Sequence, residues 1–181
     1  MDVPASLNRK RWKELLDGVR GKLGEGEISR LSLWPRYRCR TSGGRPFLLA
    51  LGSWPLFDED ERCLFPYVEA EADTSFPGSI RLGAYGATLS GVSRRWKEVT
   101  GLQPEFVSRY KPVCTDQAFG RSFLSERTQS VIDDLEGIPP RGITVVVNKR
   151  SLLAYKMSTV LSVDSLARFV TVGMELADLV L

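Results

Sequence analysis

Apolar residues follow a helical period at both ends of this sequence and mainly, though not only, a strand period between them, and this change of period constrains the fold most strongly. Near the start, the apolar spacing is that of an amphipathic helix. The residues that follow this spacing are Trp12, Leu15, Leu16, Val19 and Leu23. Gly24 is placed to end the helix, and its other side is mainly arginine and lysine. We therefore expect a first helix with one apolar and one basic face.

The segment Glu27–Arg40 changes to a period of two, which is typical of a strand with one face in water. The arginines that alternate with its apolar residues are Arg36, Arg38 and Arg40. Pro35 places the strand at a sheet edge or at a bulge, because proline cannot donate a hydrogen bond to a neighbouring strand. A turn over residues 41–44 then leads to a more buried strand over Phe47–Leu51.

The middle of the chain is predicted to extend this sheet. Residues 64–72 and 79–84 have the composition of strands, and we expect them to pair as a hairpin. Residues 57–62 form an acidic loop, whose consecutive carboxylates do not converge on one cation. A short helix is expected over residues 92–99, with Trp96 on its inner side.

The next segment is predicted to contain a strand and a capped helix. We expect a strand over Phe106–Val113, after which Asp116 caps a turn. Ser125 is placed to begin a helix, and Gly137 lies just beyond its predicted end.

The end of the chain is predicted to be a hairpin followed by a helix. The β-branched run Ile143–Val147 and the segment Leu152–Met157 are separated by a short turn, as in two paired strands. A final apolar helix follows, capped by Ser162 or Asp164.

The order of these elements predicts an α+β fold, with a mainly antiparallel sheet and helices packed on one side in two layers. Strands that are grouped in runs favour antiparallel pairing. A chain of 181 residues is long enough to bury a sizeable core. We expect a single domain over 1–181, and the alternative is a subdivision into 1–100 and 101–181.

The C-terminal part resembles a module found in uncharacterised bacterial proteins. The positions that carry the resemblance are Phe106, Tyr110, Val113, Asp116, Phe119, Phe123, Leu124, Val131, Ile132, Leu135, Leu166, Phe169, Val170, Glu175, Leu176 and Ala177. In this spacing, residues 106–178 are similar to a strand–helix–hairpin–helix module of unknown function. The resemblance implies a bacterial sheet-and-helix domain that is not known for catalysis, and it supplies no site residues.

The sequence contains no histidine, and this limits the chemistry that it can perform. Histidine is the usual general acid or base near neutral pH and a common metal ligand, so catalytic triads and metal sites that need it are excluded. Cys39, Cys63 and Cys114 form no CxxC pair, and we expect reduced thiols, as in a cytoplasmic protein. We expect no enzyme activity, no cofactor, no metal and no membrane span.

Basic and aromatic residues make up the candidate interaction surface. Arginine suits carboxylate or phosphate partners, and exposed aromatic rings serve as anchors in protein interfaces. The candidate residues are Arg9, Arg11, Trp12, Trp34, Arg36, Arg38, Arg40, Arg94 and Arg95. The amphipathic first helix also fits docking on an acidic partner or on an anionic membrane.

These observations predict a non-catalytic cytoplasmic domain that acts through protein–protein contacts, as an adaptor or chaperone-like module. Its partner is an unknown protein or a second copy in a homodimer. One alternative is a nucleic-acid-binding module that uses the arginine-rich strand face, although the net charge of +3 is mild. A second alternative is a histidine-free enzyme with a carboxylate, lysine or thiol site.

Overall fold

The computed structural model of the chain describes residues 7–29, 34–55, 62–83, 95–139, 141–156 and 161–181. Helices and strands within these ranges are numbered separately in chain order. The helices are α1 (Arg9–Leu23), α2 (Pro104–Tyr110), α3 (Gln117–Phe123), α4 (Glu126–Gly137) and α5 (Val163–Val180). The strands are β1 (Glu27–Ser29), β2 (Arg36–Arg40), β3 (Pro46–Pro55), β4 (Arg62–Glu71), β5 (Ile80–Gly83), β6 (Lys97–Glu98), β7 (Val113–Cys114), β8 (Ile143–Asn148) and β9 (Ser151–Lys156).

The described strands form one sheet in which every neighbouring pair is antiparallel. Their order is β1-β2-β3-β4-β9-β8-β5-β7-β6. The C-terminal hairpin of β9 and β8 therefore lies between β4 and β5, and strands from either side of residue 100 are neighbours. The predicted α+β fold with an antiparallel sheet is confirmed.

Helix α5 packs closely against one face of the sheet. A Cβ atom built on Gly173 would lie 3.0 Å from Val68 Cγ2 and 3.1 Å from Phe47 Cζ, so glycine permits this approach. One residue later, Met174 Sδ lies 3.8 Å from Cys39 Sγ on β2. Helices α1 and α4 flank α5 on this side. The predicted two-layer arrangement, with helices on one side, is confirmed.

Helix α1 ends at Gly24, as predicted, and the Asn8 side chain caps its start. The Asn8 side chain accepts a hydrogen bond from the Arg11 backbone N–H at 2.9 Å, and Gly24 ends the helix with a left-handed φ of 74°. The apolar stripe of this helix is buried in the core. Its members are Trp12, Leu15, Leu16 and Val19. The stripe therefore packs inside its own fold.

Three other helices begin at residues that the sequence offered as caps. The side chains of Asp116, Ser125 and Ser162 each accept a hydrogen bond from the backbone N–H three residues later, at 2.7, 3.3 and 3.1 Å. These bonds satisfy donors that a helix leaves free at its first turn. Asp116 caps a full helix, α3, where only a turn was expected. The C-terminal hairpin of β8 and β9 is confirmed.

The predicted strand over Phe106–Val113 is wrong, because most of this segment is helix α2. Pro104 occupies the first helical turn, where its missing N–H is no loss. Phe106 and Tyr110 are one turn apart, with ring centroids 4.6 Å from each other, and both are buried. The strand β7 begins only at Val113.

Two predictions for the first half are also corrected. Glu27–Arg40 is not one strand, because Glu27–Ser29 and Arg36–Arg40 pair with each other as antiparallel neighbours. Strands β4 and β5 do not pair as a hairpin, since β9 and β8 lie between them. The first case is the antiparallel pairing of two segments close in sequence, which the period of two did not report, and the second is long-range pairing, which no local spacing reports.

The predicted helix over residues 92–99 is corrected where the structure describes it. Lys97 and Glu98 form the short strand β6, which pairs with β7. Residues 92–94 lie outside the described ranges. The acidic loop predicted for 57–62 also lies outside them, except for Arg62 at the start of β4.

Candidate functional site

The sheet face opposite the helices is the candidate site, and we call it the open face. On β4, Val68 and Ala70 point toward the helices, so Tyr67 and Glu69 point away, as the strand period requires. The described helices pack on the other side. Five neighbouring strands, from β2 to β8, contribute the side chains of Arg36, Arg38, Arg40, Pro46, Leu48, Ala50, Tyr67, Glu69, Glu71, Leu153, Tyr155 and Val146 to the open face.

Strand register aligns these side chains in rows across the sheet. In one row, Arg38 lies opposite Leu48, which lies opposite Glu69. The row continues through Leu153 to Val146. Because neighbouring strands are about 4.8 Å apart, Arg38 and Glu69 are separated by about 10 Å at the backbone. From Arg38 to Leu153, the row thus alternates charged and apolar groups.

The centre of the open face is apolar and partly accessible. Leu48, Tyr67, Leu153 and Tyr155 are half-buried, and the Tyr155 ring centroid lies 5.1 Å from that of Phe65. Protein interfaces combine such an apolar centre, rich in aromatic residues, with a charged rim. This arrangement fits contact with another macromolecule.

The charges on the open face are separated by strand. Strand β2 presents arginines and β4 presents Glu69 and Glu71, with the apolar side chains of β3 between them. Burial raises the pKa of Glu69, the Glu71 charge raises it further, and Arg36 opposes this rise. No ion pair between described residues joins β2 to β4.

Two shallow adjoining cavities lie at the β1 end of the sheet. The first, of about 510 Å³, is lined by Glu27, Arg38, Arg40 and Pro46, among others. The second, of about 210 Å³, shares Arg38 and Pro46 and reaches Glu69 and Glu71. Both are open and lined by opposite charges, a character that suits contact with a surface more than enclosure of a small molecule.

The structure brings together some of the predicted surface residues and separates others. Arg36, Arg38 and Arg40 share the open face, as their alternation predicts. Arg40 also donates a hydrogen bond to the Gly44 carbonyl at 2.7 Å. The remaining residues are placed elsewhere: Arg9 and Arg11 are exposed on α1, Trp34 is half-buried against the core, Arg95 is exposed before β6, and Arg94 lies outside the described residues.

Trp12 does not belong to any interaction surface, which corrects its prediction. Its side chain is 0% exposed, and its indole Nε1–H donates a hydrogen bond to the Pro35 carbonyl at 2.8 Å. The sequence placed Trp12 on the apolar stripe of α1, and that stripe packs in the core. The basic side of α1 is the part that remains exposed.

Sequence reasoning missed the residues that complete the open face. Leu48, Tyr67, Glu69 and Leu153 were not among the candidates. Residues 67–72 alternate between polar and apolar groups, and this signal already separates Tyr67 and Glu69 from the core-facing side chains. The row itself depends on the pairing of β4 with β9, which only the fold supplies.

The thiols whose surroundings are described are poorly suited to nucleophilic chemistry. Burial raises the pKa of Cys39 and of Cys114 above the ordinary thiol value. A higher pKa lowers the fraction of reactive thiolate at neutral pH. Within the described ranges, acidic and thiol side chains form no cluster of three or more that could hold a metal ion.

Lys156 is the most deeply buried charged group among the residues that the structure describes, and it links α4 to the sheet. Its side chain is 2% exposed, and Nζ donates a hydrogen bond to the Ile138 carbonyl at 2.7 Å, at the end of α4. Burial lowers the pKa of Lys156 to about 8, and Glu136 opposes this shift. The Glu136 carboxylate in turn accepts backbone hydrogen bonds from Gly142 and Ile143. These bonds fasten α4 to β8 and β9.

The lowered pKa of Lys156 predicts a pH-dependent stability. Between pH 8 and 10.5, the unfolded chain holds this proton while the folded chain releases it, so the contribution of Lys156 to the free energy of unfolding rises with pH. In urea titrations, we expect the free energy of unfolding of the wild type to rise relative to that of Lys156→Met as the pH increases across this window. The same substitution at the exposed Lys97 is the control. The lowered pKa is contradicted if the difference in free energy of unfolding between wild type and Lys156→Met stays constant from pH 7 to 10.5.

Comparisons with known proteins show a shared fold. No family model matches the chain, and no curated protein matches it. Among solved structures, it is similar to the crystal structure of the mycobacterial trehalose monomycolate transport factor A, TtfA, with a TM-score of 0.58. The two are 10% identical, and the match covers 91% of this chain and 94% of that one. This likeness concerns the fold alone. Within the described residues, no helix has both the length and the apolar character needed to cross a membrane.

Proposed function

We propose that this chain is a non-catalytic domain that binds another protein through the open face. The observation that carries this proposal is the accessible apolar centre formed by Leu48, Tyr67, Leu153 and Tyr155, rimmed by charges. Covering such a centre removes apolar area from water, which favours association. The fold similarity to a protein named as a transport factor, and not as an enzyme, supports a non-catalytic role.

Nucleic-acid binding is the weaker alternative on this geometry. Glu69 and Glu71 share the face with the three arginines, and Glu27 lies directly opposite Arg38. These carboxylates oppose the positive potential that phosphate binding requires. Tyr37 is buried and donates its hydroxyl hydrogen bond to the Glu25 carbonyl, so it offers no stacking surface.

Leu153→Lys tests the proposal, because it puts a charge into the apolar centre. The new ammonium group would face Glu69 across the strand pair, so we expect the fold to survive. After nuclease treatment, a tagged wild-type chain should capture a partner protein, and Leu153→Lys should lose most of this capture. Mass spectrometry of the captured material provides the measurement.

Leu179→Lys is the matched control, since Leu179 is equally half-buried but lies near the end of α5 on the helix side. We expect it to keep the wild-type capture. Equal capture by Leu153→Lys and wild type would overturn the proposal. If nuclease treatment abolishes the capture of protein by the wild type, the nucleic-acid alternative is favoured instead.

A further inference from the structure

The charge pattern of the open face is self-complementary, so that two copies of this face can bring opposite charges together. Basic strand β2 and acidic strand β4 lie on either side of β3, at equal distances from it. On β3, the accessible open-face residues are Pro46 and Leu48, neither of them charged, whereas Ala50 on the same face is buried. A strand-parallel axis above β3 therefore has the arginines of β2 on one side and the glutamates of β4 on the other. Glu27 of β1 lies one strand farther from this axis than Arg38.

A two-fold rotation about this axis brings opposite charges together. It places Arg38 of one copy over Glu69 of the other, and Leu48 over Leu48. The same rotation places Arg40 over Glu71, since Arg40 lies opposite Pro46 and Glu71 follows Ala70, the partner of Phe47. Sheets packed face to face lie about 10 Å apart, a gap that arginine and glutamate side chains can bridge. Each contact occurs twice, as in any isologous interface.

We propose that a second copy of this chain docks on the open face, with β2 of each copy over β4 of the other. This inference rests on the proposed function and names its partner. The paired charges fix the register of the two sheets, and Pro46 and Leu48 of β3 fill the centre. Arg38 and Glu69, which are two strands apart within one chain, become direct partners in the dimer.

Charge exchange tests this pairing. In sedimentation velocity over a range of protein concentrations, we expect wild-type dimers that weaken with added salt. Arg38→Glu and Glu69→Arg should each weaken the dimer by about tenfold or more, because each places like charges in contact. The double variant should return to within a few-fold of wild type, since it restores both pairs in reversed sense.

A second double variant separates pairing from net charge. Arg38→Glu combined with Glu175→Arg has the same net charge as the exchanged pair, but Glu175 is exposed on α5, on the helix side. We expect no recovery of the dimer. Thermal unfolding confirms that each variant folds. If the half-buried Glu69→Arg does not fold, the exposed pair Arg40→Glu and Glu71→Arg provides the same exchange.

The outcomes distinguish this inference from the proposed function. A wild type that stays monomeric at every concentration overturns the inference, and so does equal recovery by the two double variants. If Leu153→Lys still loses a captured protein in that case, the proposed function stands with a different partner. If Leu153→Lys also leaves the capture unchanged, both the inference and the proposed function are overturned.

Discussion

Replacing Trp12 by alanine is expected to lower the free energy of unfolding by about 3–5 kcal/mol, as measured in urea. The side chain is completely buried between α1 and the sheet, so alanine leaves a large cavity. It also removes the N–H that donates to the Pro35 carbonyl. That carbonyl precedes β2, so we expect the substitution to loosen the edge of the sheet as well as the helix.

Trp12→Phe separates these two effects. Phenylalanine keeps most of the ring volume but loses the indole N–H, and an unsatisfied buried carbonyl typically costs about 1–3 kcal/mol. We expect its loss of stability to be smaller than that of the alanine variant. A Trp12→Ala protein as stable as wild type, but defective in partner capture, would mean that Trp12 is a surface anchor after all.

Gly83→Ala is expected to destabilise the fold by about 3 kcal/mol. Gly83 has a φ of 132°, a conformation that residues with a Cβ rarely adopt. A Cβ atom there would lie 2.3 Å from the Ile143 carbonyl oxygen and 2.6 Å from Thr144 Cα. Both contacts are with the β8 backbone, so relief requires β5 and β8 to separate. Chemical unfolding measures the loss.

Gly21→Ala is the matched control for this substitution. Gly21 lies within α1, and a Cβ there would have no heavy atom within 4 Å. Alanine is the better helix former, so we expect a gain of about 0.5–1 kcal/mol. Equal effects of the two substitutions would contradict the strand contact inferred at Gly83.

The sequence predicted those parts of the fold that local chemistry determines. Asp116, Ser125 and Ser162 cap helices because each side chain reaches a backbone N–H only three residues away. By contrast, Phe106 and Tyr110 follow a spacing that fits a helix and did not exclude a strand, and burial against the core selects the helix. Tertiary packing, which a local pattern does not report, decides such cases.

The candidate site was predictable only in part, for a similar reason. The arginine alternation on β2 was visible in the sequence and correctly placed Arg36, Arg38 and Arg40 on one face. Their relation to Glu69 depends on β3 lying between β2 and β4, with a register that pairs Leu48 with both neighbours. Periodicity reports which side a residue faces, but it does not report which strand lies beside it.

The late position of the β8–β9 hairpin in the chain affects how the sheet can form during translation. Once the first 100 residues have left the ribosomal tunnel, the segments of β4 and β5 are outside it, but the strands that lie between them are not. Their unpaired edges are then exposed to neighbouring nascent chains, which is a known route to aggregation. The sheet can be completed only after residue 156 has left the ribosomal tunnel. Any pause in translation before that point therefore prolongs the exposure of these edges.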